Sequence, residues 1–201
     1  MTSVLLFLKS LMIGVAIAAP VGPIGILCIQ RTLTYGKRMG FLSGLGAATA
    51  DALFGLIAVM GLTMVSGFQF WIQLWGGVFL LLLGWKTFTS QPAAKLLDEP
   101  DTNSSVKGFV SVFLLTLTNP MTILAFIAIF GVFRVAGSED FVTVLTVVSG
   151  VFSGSALWWW GLAFVSGWIG SRIGSASLRM INRAAGIVLT IFSVLFLIDL
   201  L

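Results

Sequence analysis

Asp51 is the residue with the greatest chemical consequence in this 201-residue chain. It stands alone in the middle of a long apolar run. The other acids fall elsewhere: Asp98, Glu99 and Asp101 in one polar stretch, Glu139 and Asp140 in a second, and Asp199 near the C-terminus. A charged aspartate at the centre of a lipid-embedded helix costs about 2.5–3.5 kcal/mol on insertion scales, and ionisable residues there are functional by default. Two chemistries are open to Asp51: it could bind a substrate ammonium or carry a proton. The structural alternative is a carboxylate that caps a broken helix end or pairs with Lys9 or Arg31.

Two further groups could work with it. Pro20, Gly22 and Pro23 interrupt the first apolar run. Proline lacks an amide donor and clashes with the preceding turn, and unpaired backbone groups are tolerated at membrane depth only where protein or a watery cavity satisfies them. Gly22 would let two backbones approach. Asn119-Pro120 makes a second interruption, where Asn119 could hydrogen-bond a substrate or satisfy carbonyls that Pro120 leaves free. Either break could line a substrate site or be a packing kink. Of Trp158, Trp159 and Trp160, one could stack over a cation. Trp158 is the candidate taken here, against a plain aromatic packing or interface cluster.

The remaining chemistry is narrow. There is no histidine and only one cysteine, Cys28, so an internal disulfide, a cysteine-pair relay and a histidine base are ruled out. A metal-ion transporter would want several carboxylate, histidine or thiol ligands, and a serine hydrolase a His or Lys base. Gly84-Trp-Lys86-Thr87 lacks the spacing of a phosphate-binding loop. No enzymatic activity, cofactor or metal is expected.

The elements that must position these residues follow from composition. The chain is 58% hydrophobic and 9% charged, against about 25% charged for a soluble domain. It is expected to be an all-α, polytopic membrane protein. Six apolar segments are each long enough to cross a hydrocarbon core, which takes about 20 residues: roughly 4–29, 39–65, 70–88, 107–133, 141–168 and 182–200. Ala16-Ile-Ala18 resembles a signal cleavage site, but apolar sequence continues beyond it, and an interrupted first span is the reading. Residues 31–38 read as a short basic turn. Gly36, Gly40 and Gly44, and later Gly150 and Gly154, read as small-residue packing faces; exposed, such faces could also join copies of the chain.

The net charge of +4 is read as loop asymmetry, with no nucleic acid partner. Arg31, Lys37, Arg38, Lys86, Lys95, Lys107, Arg172, Arg179 and Arg183 fall on one side of the bilayer, Lys9 and Arg134 on the other. That bias makes the first set cytoplasmic and both termini external. The halves resemble each other loosely, as a first repeat (1–89), a hydrophilic linker (90–106) and a second repeat (107–201). Six transmembrane helices in two inverted three-helix repeats, within one membrane domain, is the expected architecture.

The run Ala19-Pro20-Val-Gly22-Pro23, followed by Gly36, Gly40, Gly44 and Asp51, resembles the opening signature of the LysE-type amino-acid exporters, the lysine and homoserine/threonine exporter group. Asn119-Pro120 is similar to that family's second signature. Where many members carry lysine after this pair, this chain has Met121, which bears on substrate choice. The resemblance implies secondary transport of amino acids or similar small amine-bearing metabolites out of the cytoplasm, coupled to protons, in a bacterial-type inner membrane.

Overall fold

A computed structural model describes residues 3–61, 69–90, 104–132, 140–170 and 175–200. Eight helices occupy them: α1 (Ser3–Ala18), α2 (Pro23–Tyr35), α3 (Lys37–Gly61), α4 (Gln69–Thr89), α5 (Ser105–Leu117), α6 (Pro120–Val132), α7 (Phe141–Ile169) and α8 (Ser175–Leu200). No strand occurs among the described residues. The two proline interruptions are real breaks. The chain bends by 83° between α1 and α2 and by 65° between α5 and α6. Pro23 and Pro120 each open the new helix, where a missing amide costs no hydrogen bond.

Three stretches are individually long and apolar enough to cross a membrane: Lys37–Met60, Phe141–Ile169 and Ala176–Leu195. Counting each bent pair as one span gives up to five candidates, where the sequence reading expects six. The remaining segment, α4, contributes the shorter apolar stretch Leu74–Thr89. The chain is thus a multi-pass, all-helical membrane protein. Most of the expected linker, with Lys95, and the loop residues Arg134 and Arg172 lie outside the described residues.

Packing follows the small residues. Gly14 on α1 lies against the backbone of Val151 and Ser155, while Gly150 and Gly154 on α7 lie against Phe7, Ser10 and Leu11. Gly46 and Ser43 on α3 meet Phe109, Phe113 and Gly108 on α5 in the same way. Both pairs run parallel. At the centre, α3 crosses α7 antiparallel, with Gly44 under the Trp159 ring. α4 pairs antiparallel with α8 through Gly84, Gly186 and a Ser193 hydroxyl donated to the Gly77 carbonyl at 2.6 Å. Exchanging α1–α4 with α5–α8 leaves these pairings unchanged. The half-helices depart from the pattern, since α2 rests on α3 whereas α6 lies against α4.

Two sequence readings need correction. Arg31 is not in an exposed turn. It lies in α2, is 2% exposed, and donates to Ser43 Oγ (3.0 Å), the Gly108 carbonyl (2.9 Å) and Ser111 Oγ (2.9 Å). The guanidinium therefore ties α2 to α3 and α5, and its five donors suit such a buried multi-acceptor site. Gly36 is not part of the packing ladder. It ends α2 at φ +91°, and nothing lies within 4 Å of where a Cβ would stand. Its role is the backbone reversal between α2 and α3, which an L side chain resists. Gly40 does pack, with the Thr32 side chain and Cys28 carbonyl filling the space its side chain would take.

Asp140 begins α7 as its N-cap, accepting from the Thr143 amide (3.0 Å) and hydroxyl (2.9 Å). These bonds, the backbone one first, hold its carboxyl below the ordinary 3.8. A depressed carboxyl pKa stabilises the folded state above the unfolded value and loses that contribution as pH falls through the folded one. Protection factors for amides in the first turn of α7 are therefore expected to drop as pH falls below about 3.8. In Asp140→Ala they are expected to be low at every pH, as hydrogen exchange would read out.

Candidate functional site

The two breaks converge. Pro20, Gly22, Pro23 and Gly25 from the first, and Thr116, Asn119 and Thr122 from the second, line one cavity with Asp51. Its volume is about 80 Å³, several times the roughly 10–15 Å³ that a single water needs. Asp51 is 3% exposed. Ser155 donates to its Oδ2 at 2.7 Å, and Ser155 Oγ accepts from Trp159 Nε1 at 3.1 Å. Ser155 is its only hydrogen-bond donor among the described residues. Neither Lys9 nor Arg31 pairs with it. Three elements fix this group: α3 carries the acid, α7 carries Ser155 and Trp159 one turn apart, and the breaks form the opposite wall.

A second cavity, of about 600 Å³, adjoins the first and shares Pro20, Gly22, Pro23, Asn119 and Thr122 with it. It extends between Leu83, Lys86, Thr87 and Ser90 of the α4 end, Asn182 of α8 and Met121 of α6. Such a volume lies in the range of small-molecule sites, about 300–1,000 Å³. Asp51 and Lys86 are the two charged side chains among the residues that line the pair of cavities.

Each sequence candidate can be placed. Asn119 lines both cavities while its Oδ1 accepts from the Met121 amide at 3.1 Å and its carbonyl from Thr122 (3.1 Å) and Ile123 (3.3 Å). It caps α6 and faces the cavity at once. Pro120 sets the start of α6. Gly22 does not bring two backbones together: nothing lies within 4 Å of its absent Cβ, and it faces the cavity. Trp158 lines neither cavity; it packs at the edge of a core cluster with its indole N–H buried and without an acceptor among the described residues. The tryptophan at the site is Trp159. It shares a helix face with Ser155, four residues earlier, but only the structure shows that Ser155 meets Asp51. Trp160 is 54% exposed. Gly44, Gly150 and Gly154 serve packing, as described above.

Sequence reasoning missed Asn182. This residue is 2% exposed, and its side-chain amide grips the unwound peptide at Val21. Oδ1 accepts from the Val21 amide at 2.8 Å, and Nδ2 donates to the Val21 carbonyl (3.2 Å) and to Ser90 Oγ (2.7 Å). The first break is thereby pinned to the α4–α8 pair. Asn182→Ala leaves the buried Val21 amide and carbonyl without partners, which costs about 1–3 kcal/mol. A lower melting temperature in detergent is expected. Equal melting of Asn182→Ala and wild type would contradict the clamp.

The family profile "LysE type translocator" matches residues 15–200. The chain belongs to the LysE type translocator family. Among its LysE-family relatives is YcgF of Bacillus subtilis (strain 168), provisionally described as an amino acid efflux protein, 30% identical over 95% of this chain and 94% of that one. The arginine exporter protein ArgO of Klebsiella pneumoniae (strain 342) is 27% identical over 91% of this chain and 89% of its own length. YahN of Escherichia coli (strain K12), named an uncharacterized membrane protein, is 29% identical over 65% of this chain and 60% of its own. No solved structure matches.

Proposed function

We propose that this protein is a secondary active transporter that exports amino acids, or similar small amine-bearing metabolites, from the cytoplasm with proton movement as the driving force. One observation carries the reading: two interrupted helix pairs meet at a single cavity that contains a buried carboxylate. In that cavity Asp51 either binds the substrate ammonium or takes the proton in exchange for it. The efflux role of the relatives supports the substrate class. Relatives named for efflux and export support the outward direction.

The architecture proposed is six spans in two inverted repeats within a bacterial-type inner membrane, with both termini outside the cytoplasm. The pairing of α1 with α7 and α5 with α3, both parallel around the antiparallel α3–α7 and α4–α8 pairs, supports an inverted relation. The larger cavity, with Lys86 near its α4 end, is the cytoplasmic entrance by the charge bias. No enzymatic step is assigned to the site. Whether copies associate would be read from the mass of the purified protein.

The test compares intracellular and medium amino-acid pools in cells with and without the protein. Expression is expected to lower the intracellular pool of the substrate severalfold and raise it in the medium. Unchanged pools across all amino acids and simple amines would contradict the proposal.

A further inference from the structure

The start of α2 differs from the start of α6. At α6, Asn119 occupies the first free amide with its own side chain. At α2 the N-cap is Gly22, which makes no side-chain bond, and the amides of Ile24 and Gly25 have no acceptor among the described residues. Gly22, Ile24 and Gly25 all line the cavity that holds Asp51. The space beside Gly22 is open, so a Cβ there would project into the cavity. An uncapped helix start offers amide donors and a positive dipole end to an anion. Asp51, nine-tenths buried, lines the same space and has Ser155 as its one donor, which leaves Oδ1 without a partner among the described residues.

One small cavity thus offers an anion site and a cation site together. The adjoining larger cavity is different in character. Its wall combines apolar residues such as Leu83, Leu115 and Met121 with neutral polar ones such as Thr87 and Asn182, and among the described residues Lys86 is its one charged side chain and no carboxylate lines it.

We infer that the substrate is a zwitterionic amino acid with an uncharged, apolar side chain. Its carboxylate lies on the Ile24 and Gly25 amides, its ammonium on Asp51, and its side chain in the larger cavity. The inference rests on the transport reading above and narrows it. A guanidinium or second ammonium in the larger cavity would meet Lys86 and an uncharged wall with no counter-charge among the described residues, and an unpaired charge in such a place is costly. Arginine and lysine are therefore poor substrates, unlike the cargo named for the ArgO relatives.

The test uses the purified full-length protein in liposomes, with labelled leucine counterflow competed by unlabelled compounds. Leucine and similar apolar amino acids are expected to compete at least tenfold better than isoamylamine, which lacks the carboxylate, and than 4-methylvalerate, which lacks the ammonium. They should also compete at least tenfold better than arginine or lysine. Met121→Glu places a carboxylate in the larger cavity and is expected to shift the ratio at least tenfold toward arginine. Lys86→Glu, at an exposed position, should shift it the same way by about threefold and serves as the readout if the first variant fails to fold. Flux of arginine or lysine equal to or above leucine overturns the inference while transport stands. Equal competition by isoamylamine overturns the carboxylate site. Flux of none of the twenty amino acids overturns the transport reading and the inference with it.

Discussion

Asp51→Asn is expected to reduce efflux at least thirtyfold while leaving the protein folded. Asparagine keeps the shape of the side chain, and its carbonyl oxygen can still accept from Ser155 as Asp51 Oδ2 does at 2.7 Å. What is lost is the negative charge. Removing one partner of a buried, hydrogen-bonded charge pair costs about 2–5 kcal/mol, and 2 kcal/mol is about thirtyfold in a rate or affinity at 25 °C. The two roles open to Asp51 separate in two assays. If it holds the substrate ammonium, both counterflow and concentrative efflux fall. If it carries only the proton, counterflow persists and concentrative efflux alone is lost. Ser155→Ala removes the donor that orients the carboxylate and should cause a smaller loss, about tenfold or less, in line with one hydrogen bond to a charged group at about 1.5–3 kcal/mol less the water that replaces it.

Gly154→Val is expected to produce the largest loss of stability. In a bilayer the association of helices rests on close packing by small residues. A Cβ at Gly154 would run into the Leu11 carbonyl, and one at Gly14 into the Val151 carbonyl. These neighbours are backbone and cannot rotate away, so α1 and α7 must separate. Overpacking of this kind costs typically 1–3 kcal/mol and sometimes more. The yield of monodisperse protein and its melting temperature in detergent should both fall sharply. Gly161→Val is the control on the same helix, because nothing lies within 4 Å of its Cβ position. Similar melting temperatures for the two variants would contradict the packing argument.

Long, uniformly apolar runs and their proline interruptions were legible in the sequence because they are local properties. The breaks at Pro20–Pro23 and Asn119-Pro120 and the burial of Asp51 needed no knowledge of neighbours. The features that were not legible depend on rotation or on distant partners. Successive residues on a helix differ by about 100°, so three adjacent tryptophans carry no internal clue to which one faces the acid, and Trp159, not Trp158, does so. Arg31 sits at the edge of an apolar run, which reads as a cytoplasmic anchor. Its burial follows from acceptors on Ser43, Gly108 and Ser111, up to 80 residues away. Asn182 is 161 residues from the peptide it holds. Gly36 shares a four-residue spacing with Gly40 and Gly44, and that spacing concealed a helix terminus with positive φ.

The two breaks also differ in how they are held. The first is held to α8 by Asn182 and leaves its helix start uncapped; the second caps itself with Asn119.

The most direct measurement is substrate protection of a cysteine at the second break. Thr122 lines both cavities, and Cys28 is the only native cysteine. In a Cys28→Ala background, Thr122→Cys is expected to react with a small maleimide, and saturating substrate should slow that reaction severalfold. Adding Asp51→Asn should remove the protection. Labelling indifferent to every amino acid would contradict a substrate site shared by the two breaks, and protection that persists without the Asp51 charge would contradict Asp51 as the partner of the substrate ammonium.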